Sequence, residues 1–91
     1  WVGVLRDQFE FMSGEQRLTW YESSEAAFRG HCNRCGSPLV FHSSRWEDEI
    51  HVTLASFMNG IDRSPAAHVC FDNHVDWIQL GDDLKRFPKL P

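Results

Sequence analysis

Cys32 and Cys35 stand two residues apart and are followed at once by Gly36-Ser37-Pro38. That spacing lets one tight turn aim two sulfurs at a common centre while backbone amides donate hydrogen bonds to them. A residue just past the second sulfur commonly needs a positive φ, which glycine reaches without a Cβ penalty. The segment reads as a zinc knuckle, with Pro38 closing the turn and residues 39–42 leaving it as a strand. Two other readings compete with it. A redox pair would sit at a helix N-terminus, where the dipole lowers the thiol pKa, and the Gly-Ser-Pro that follows does not suit a helix. A pair of buried thiols would act as small hydrophobes.

Structural zinc takes four ligands, almost always Cys or His in a closed tetrahedron. Cys32 and Cys35 supply two, and the chain contains no second C-x-x-C or C-x-C. His31 adjoins Cys32, and neighbours on an extended chain point to opposite faces, so it is a poor co-ligand. Cys70, in Val69-Cys70-Phe71, reads as a small buried thiol. His42, His51 and His74 stand singly in polar or alternating contexts, and His68 follows Pro65-Ala66-Ala67 as a ring held by hydrogen bonds. Cys32 and Cys35 are therefore the expected metal ligands, a half-site completed by another copy of the chain or by residues outside it. No catalytic residue is assigned.

The rest of the chain alternates with the period of strands. Trp1, Gly3 and Leu5 are expected on one side of a strand and Val2 and Val4 on the other. Residues 8–12 continue extended, Ser13-Gly14-Glu15 supplies turn chemistry, and residues 18–21 pair back as a hairpin. Ser23 and Ser24 mark a break before the knuckle. Residues 43–48 read as a loop and residues 49–54 as a strand with Ile50, Val52 and Leu54 facing the core. Residues 67–71 and 75–80 are two further strand candidates, and Gly81-Asp82-Asp83 opens one short helical turn. Six or seven short strands and no helix above two turns give an all-β fold class, in a single domain over residues 1–91.

At 91 residues a chain holds one core, and at this size a metal or a partner subunit contributes noticeably to stability. Nine Lys and Arg against thirteen Asp and Glu leave a net charge of −4 with no basic stripe, so nucleic acid is excluded as the expected partner. No apolar run approaches the length of a membrane span, and the first residues lack a signal-peptide layout. Three cysteines, two of them in the C-x-x-C, suit a reducing compartment, so a soluble cytoplasmic protein is expected.

Cys32-Asn33-Arg34-Cys35-Gly36-Ser37-Pro38-Leu39 resembles the later part of the glutathione-dependent formaldehyde-activating enzyme family, which includes centromere protein V-like domains. The resemblance extends to Trp1-Val2-Gly3-Val4, to Phe9 through Gly14-Glu15, to the Leu18…Tyr21…Ser23-Ser24 approach and to Phe28-Arg29-Gly30-His31-Cys32. It continues through Pro65-Ala66-Ala67-His68-Val69 and through Asp76-Trp77 with Gly81-Asp82-Asp83-Leu84. The resemblance implies a β-tent of folded-over antiparallel sheets, of zinc-ribbon type, and two zinc sites. The structural one uses an early Cys-x-Cys with the later Cys-x-x-Cys, here Cys32 and Cys35. The catalytic one uses a Cys-His-Cys-x-x-Cys segment, which this sequence does not contain. The family reaction joins glutathione to formaldehyde, formally a carbon–sulfur lyase in reverse.

The chain is accordingly expected to be the C-terminal two-thirds of such a domain, beginning inside a strand. It is read as a truncated or divergent member that is not catalytic by itself and is stabilised as a homodimer, in which two Cys32/Cys35 pairs form one Cys₄ zinc site. The rival is an active carbon–sulfur lyase whose site is rebuilt from His51, His68 and His74 or across a dimer interface, with glutathione or another thiol as its small-molecule partner. A third reading is a small-molecule binding module built on Trp1, Trp20, Trp46 and Trp77.

Overall fold

A computed structural model describes residues 1–90. The chain, read from sequence as a single domain over 1–91, contains two compact units, residues 1–60 and residues 61 onward. The first is a five-stranded antiparallel sheet of β1 (Val2–Leu5), β2 (Leu18–Ser24), β3 (Ala27–Cys32), β4 (Pro38–Ser43) and β5 (Glu49–Val52), in the order β1-β5-β4-β3-β2. β2 to β5 form a meander, and β1 adds beside β5 with Val2 opposite Val52 and Val4 opposite Ile50. The second unit contains a two-stranded parallel pair, β6 (Ala67–His68) and β7 (Lys85–Arg86). The only helical segments among the described residues are three-residue 3-10 turns. The all-β class expected from the alternation is the class observed.

Side chains alternate across a strand, so the register defines two faces of the large sheet. One carries Val4, Ile50, Val52, Val40, His42, Phe28, Gly30, Trp20 and Leu18. The other carries Gly3, His51, Phe41, Arg29 and Ala27. The core is thin. Ala27, Val40 and Ile50 are its buried hydrophobic residues among those described. Val52 and Leu54, expected to face the core with Ile50, are half-buried. Many large apolar side chains stay in water, including Tyr21 at 65% exposure, Met12 at 87% and Met58 at 93%.

Four local expectations are corrected. The hairpin partner of residues 18–21 is β3, with Trp20 opposite Gly30, and not residues 8–12, which follow a 3-10 turn at Arg6–Gln8 without joining a sheet. β3 escapes a propensity reading because Ala27 and Gly30 are weak strand formers. Gly30 is nevertheless required, since a Cβ there would lie 2.7 Å from Val40 Cγ2. Residues 75–80 form no strand: Val75, Trp77 and Ile78 are exposed and no strand lies beside them. The turn expected at residues 81–83 is replaced by an Asp82 side chain that accepts from Leu84 N–H (2.9 Å) and leads into β7. The expected strand over residues 67–71 shortens to Ala67–His68, because Cys70 adopts a left-handed φ of +55° and Phe71–Asn73 turn as a 3-10 segment.

Candidate functional site

The Cys32/Cys35 segment is the turn of the β3–β4 hairpin. Cys32 ends β3 and Pro38 begins β4, so the two paired strands hold both ends of the turn. Cys32 N–H donates to Ser37 C=O (2.9 Å) and Gly36 N–H to Cys32 C=O (2.8 Å). Gly36 has φ +79°, the conformation read from its place after the second cysteine. Arg34 N–H donates to Cys32 Sγ (3.4 Å), and Ser37 Oγ lies 3.3 Å from Cys35 Sγ. The Ser37 hydroxyl, then its backbone N–H, then the Cys32 side chain hold the Cys35 thiol below its ordinary pKa. Outside the turn, Asn33 N–H donates to Arg17 C=O (2.7 Å) and Asn33 Nδ2 to Gln16 C=O (3.5 Å), which anchors the tip to the segment entering β2.

These features fit a metal half-site. Arg34 N–H donates to Cys32 Sγ and the Cys35 thiol is hydrogen-bonded to Ser37 Oγ. Cys32 is half-buried and Cys35 is exposed, so the pair faces outward to where further ligands can approach. Among the described residues no group of three or more His, Cys, Asp or Glu is arranged to hold a metal. His31 lies on β3 opposite Thr19, and Cys70 is an exposed thiol in the second unit.

The histidines fall into different environments. His51 belongs to an aromatic cluster on the face that carries Phe41. Its ring centroid is 5.8 Å from Phe41 and 5.2 Å from Trp46, while Trp1 is 6.0 Å and Trp46 6.5 Å from Phe41. Arg29 covers the same Phe41 ring at 5.0 Å. His51 Nε2 is buried with no hydrogen-bond partner, 3.7 Å from Glu49 Oε1. On the opposite face, His42 stacks on Phe28 at 5.0 Å and meets Trp20 edge-on at 5.1 Å. In the second unit, His68 Nε2 is 3.0 Å from both carboxylate oxygens of Asp82, and His74 Nδ1 donates to Phe71 C=O while its ring stacks on Phe71.

Burial pushes both His42 and His51 below the ordinary histidine pKa of 6.5. The Arg6 charge adds to the effect at His42, and Glu49 partly offsets it at His51. A folded-state pKa below the unfolded value means that the unfolded chain takes up protons first as pH falls. The large sheet is therefore expected to lose stability progressively as pH drops below 6.5, until the folded rings themselves charge. Urea midpoints at pH 7.5 and 5.5 check this, and His51→Phe is expected to flatten the slope.

Sequence reasoning grouped Trp1, Trp20, Trp46 and Trp77 around one cleft. The structure brings Trp1 and Trp46 together about Phe41, places Trp20 on the other face of the sheet, and leaves Trp77 in the second unit at 76% exposure. A cleft of about 340 Å³ does exist beside Trp20, lined also by Arg6, Phe9, Phe11, His42 and Ile50. No signal in the sequence pointed to it, because three of its walls (Trp20, His42, Ile50) come together through strand register and the other three (Arg6, Phe9, Phe11) come from the segment that follows β1 without joining the sheet. Among the described residues no helix is long and apolar enough to cross a membrane. Comparison of the chain with protein-family models, curated proteins and solved structures found no match.

Proposed function

We propose that this chain is a zinc-fold member resembling the glutathione-dependent formaldehyde-activating domains, with a structural rather than a catalytic role for its metal and with self-association completing its fold. The observation that carries the reading is the knuckle: a Cys-x-x-Cys hairpin turn with Gly36 at φ +79° and with N–H and O–H groups set against both sulfurs. Cys32 and Cys35 would hold a zinc ion as two of its four ligands, and two further thiolates come from a second copy or from residues beyond those described. Zinc bound in this way cross-links strands and stabilises the fold on which it sits.

Self-association is supported by the edge of the large sheet. β2 has seven residues with a free outer side, and every one from Thr19 to Ser24 is exposed. Glu22 is its one charged residue, and it contains no Lys or Pro to blunt pairing with another chain. Trp20 and Tyr21 add apolar surface along the same strand.

The purified protein is expected to contain one zinc ion for every two chains, to sediment as a dimer, and to show thiolate charge-transfer bands with cobalt. Cys32→Ser with Cys35→Ser should abolish both zinc and those bands. A zinc-free protein that also fails to take up added zinc overturns the reading. Turnover of glutathione with formaldehyde above the spontaneous rate overturns its structural emphasis in favour of the carbon–sulfur lyase alternative.

A further inference from the structure

The cleft beside Trp20 combines features that the zinc knuckle does not use. Phe9 and Phe11 meet edge to face with centroids 4.9 Å apart, and Trp20 and His42 meet at 63° across 5.1 Å. Together with Ile50 these rings form walls that a flat apolar body can stack against. Arg6 stands at the same cleft. Its backbone N–H is satisfied by Asp48 C=O at 2.8 Å, while its guanidinium makes no ion pair among the described residues. The His42 ring is held by Phe28 and Trp20 through ring contacts, with no hydrogen bond to its nitrogens among the described residues. Trp20 is 39% exposed, so the cleft is open for a ligand to enter.

An aromatic-walled cleft with one uncommitted cation selects for a ligand carrying both a planar ring and an anion. Neutral rings would forgo the charge, and small inorganic anions would leave the apolar walls in water. A guanidinium presents a planar fork that matches a carboxylate through two parallel hydrogen bonds, which a point charge does not. We propose that residues Arg6, Phe9, Phe11, Trp20, His42 and Ile50 form a binding site for a small aromatic carboxylate, its ring between the aromatic walls and its carboxylate on Arg6. None of these residues belongs to the Cys32/Cys35 turn, and the one shared with the proposed β2 association edge is Trp20, so ligand binding is measured on the protein at concentrations where its oligomeric state is known.

Titrating the intact, isotopically labelled protein with benzoate or indole-3-acetate, and with the neutral analogue benzamide, tests the assignment by NMR. The expected result is saturable shifts at the Trp20 indole N–H and the His42 ring, with the carboxylates binding about tenfold or more tightly than benzamide. Arg6→Gln is expected to erase that preference while leaving benzamide binding unchanged. Should that variant fail to fold, raising the salt concentration with the unaltered protein must weaken carboxylate binding and spare benzamide. Equal affinity for the charged and neutral ligands, shifts centred on Trp46 or Trp77, or no saturation at millimolar ligand would each overturn the proposal.

Discussion

Ile50→Ala is expected to lower the stability of the five-stranded sheet by about 2–3 kcal/mol, the lower part of the range for removing a buried isoleucine. Ile50 is 6% exposed and lies opposite Val4 on the neighbouring strand, so the lost methyl and methylene groups come from a core whose other buried hydrophobic side chains, among the described residues, are Ala27 and Val40. The effect stays below the upper limit because Ile50 also borders the cleft beside Trp20, and water can occupy part of the vacated space. Urea unfolding followed by tryptophan fluorescence should show a lower midpoint with little change in slope. Met58→Ala, at a position 93% exposed, serves as the contrast and should stay within about 0.5 kcal/mol.

The second large effect comes from adding volume. Gly30→Val is expected to destabilise the sheet by about 1–3 kcal/mol, although valine is the better strand former. Steric conflict outweighs propensity here. A Cβ at Gly30 already meets Val40 Cγ2 at 2.7 Å, Trp20 Cζ3 at 3.1 Å and Leu18 Cδ1 at 3.2 Å. Trp20 is partly exposed and can swing away, whereas Val40 is 4% exposed and its branched side chain has little rotamer freedom. The smaller change Gly30→Ala isolates that contact. Combined with Val40→Ala it should cost less than the sum of the two single variants, and the double-mutant cycle measures the coupling directly. Strict additivity would show that Val40 is not what excludes a side chain at this position.

Both effects concern the sheet that positions the knuckle. β3 delivers Cys32 and β4 begins at Pro38, so loosening Gly30 or Val40 in the middle of that hairpin also loosens the turn that presents the sulfurs. If zinc binds at Cys32 and Cys35 as proposed, its affinity and the sheet's stability are expected to be coupled, as they are where ligands sit on short strands of a small domain.

Much of the fold could be read from residue order alone because it is local. The alternation from Trp1 to Leu5, the strand after Pro38 and the strand from Glu49 all depend on period-two patterning, which the pleat of a strand imposes whatever the partner. Gly36 is equally local, since the backbone just past Cys35 demands a left-handed residue inside the turn itself. The reading failed where pairing decides. Ala27 and Gly30 look unsuited to a strand until Trp20, Leu18 and Val40 are seen packing against the space where a Gly30 side chain would go. Residues 75–80 look like a strand, yet no neighbouring backbone accepts their hydrogen bonds as a ladder.

By itself the sequence determined the all-β class, the tight turn that carries Cys32 and Cys35, and the glycine that shapes it, because each follows from chemistry within a few consecutive residues. Tertiary structure alone decided which strands pair and which tryptophans share a face. It also decided that His42 lies between Phe28 and Trp20 and that Arg6 stands over a ring-lined cleft. Those outcomes depend on register between segments up to about fifty residues apart, and one step of register moves every side chain of a strand to the opposite face.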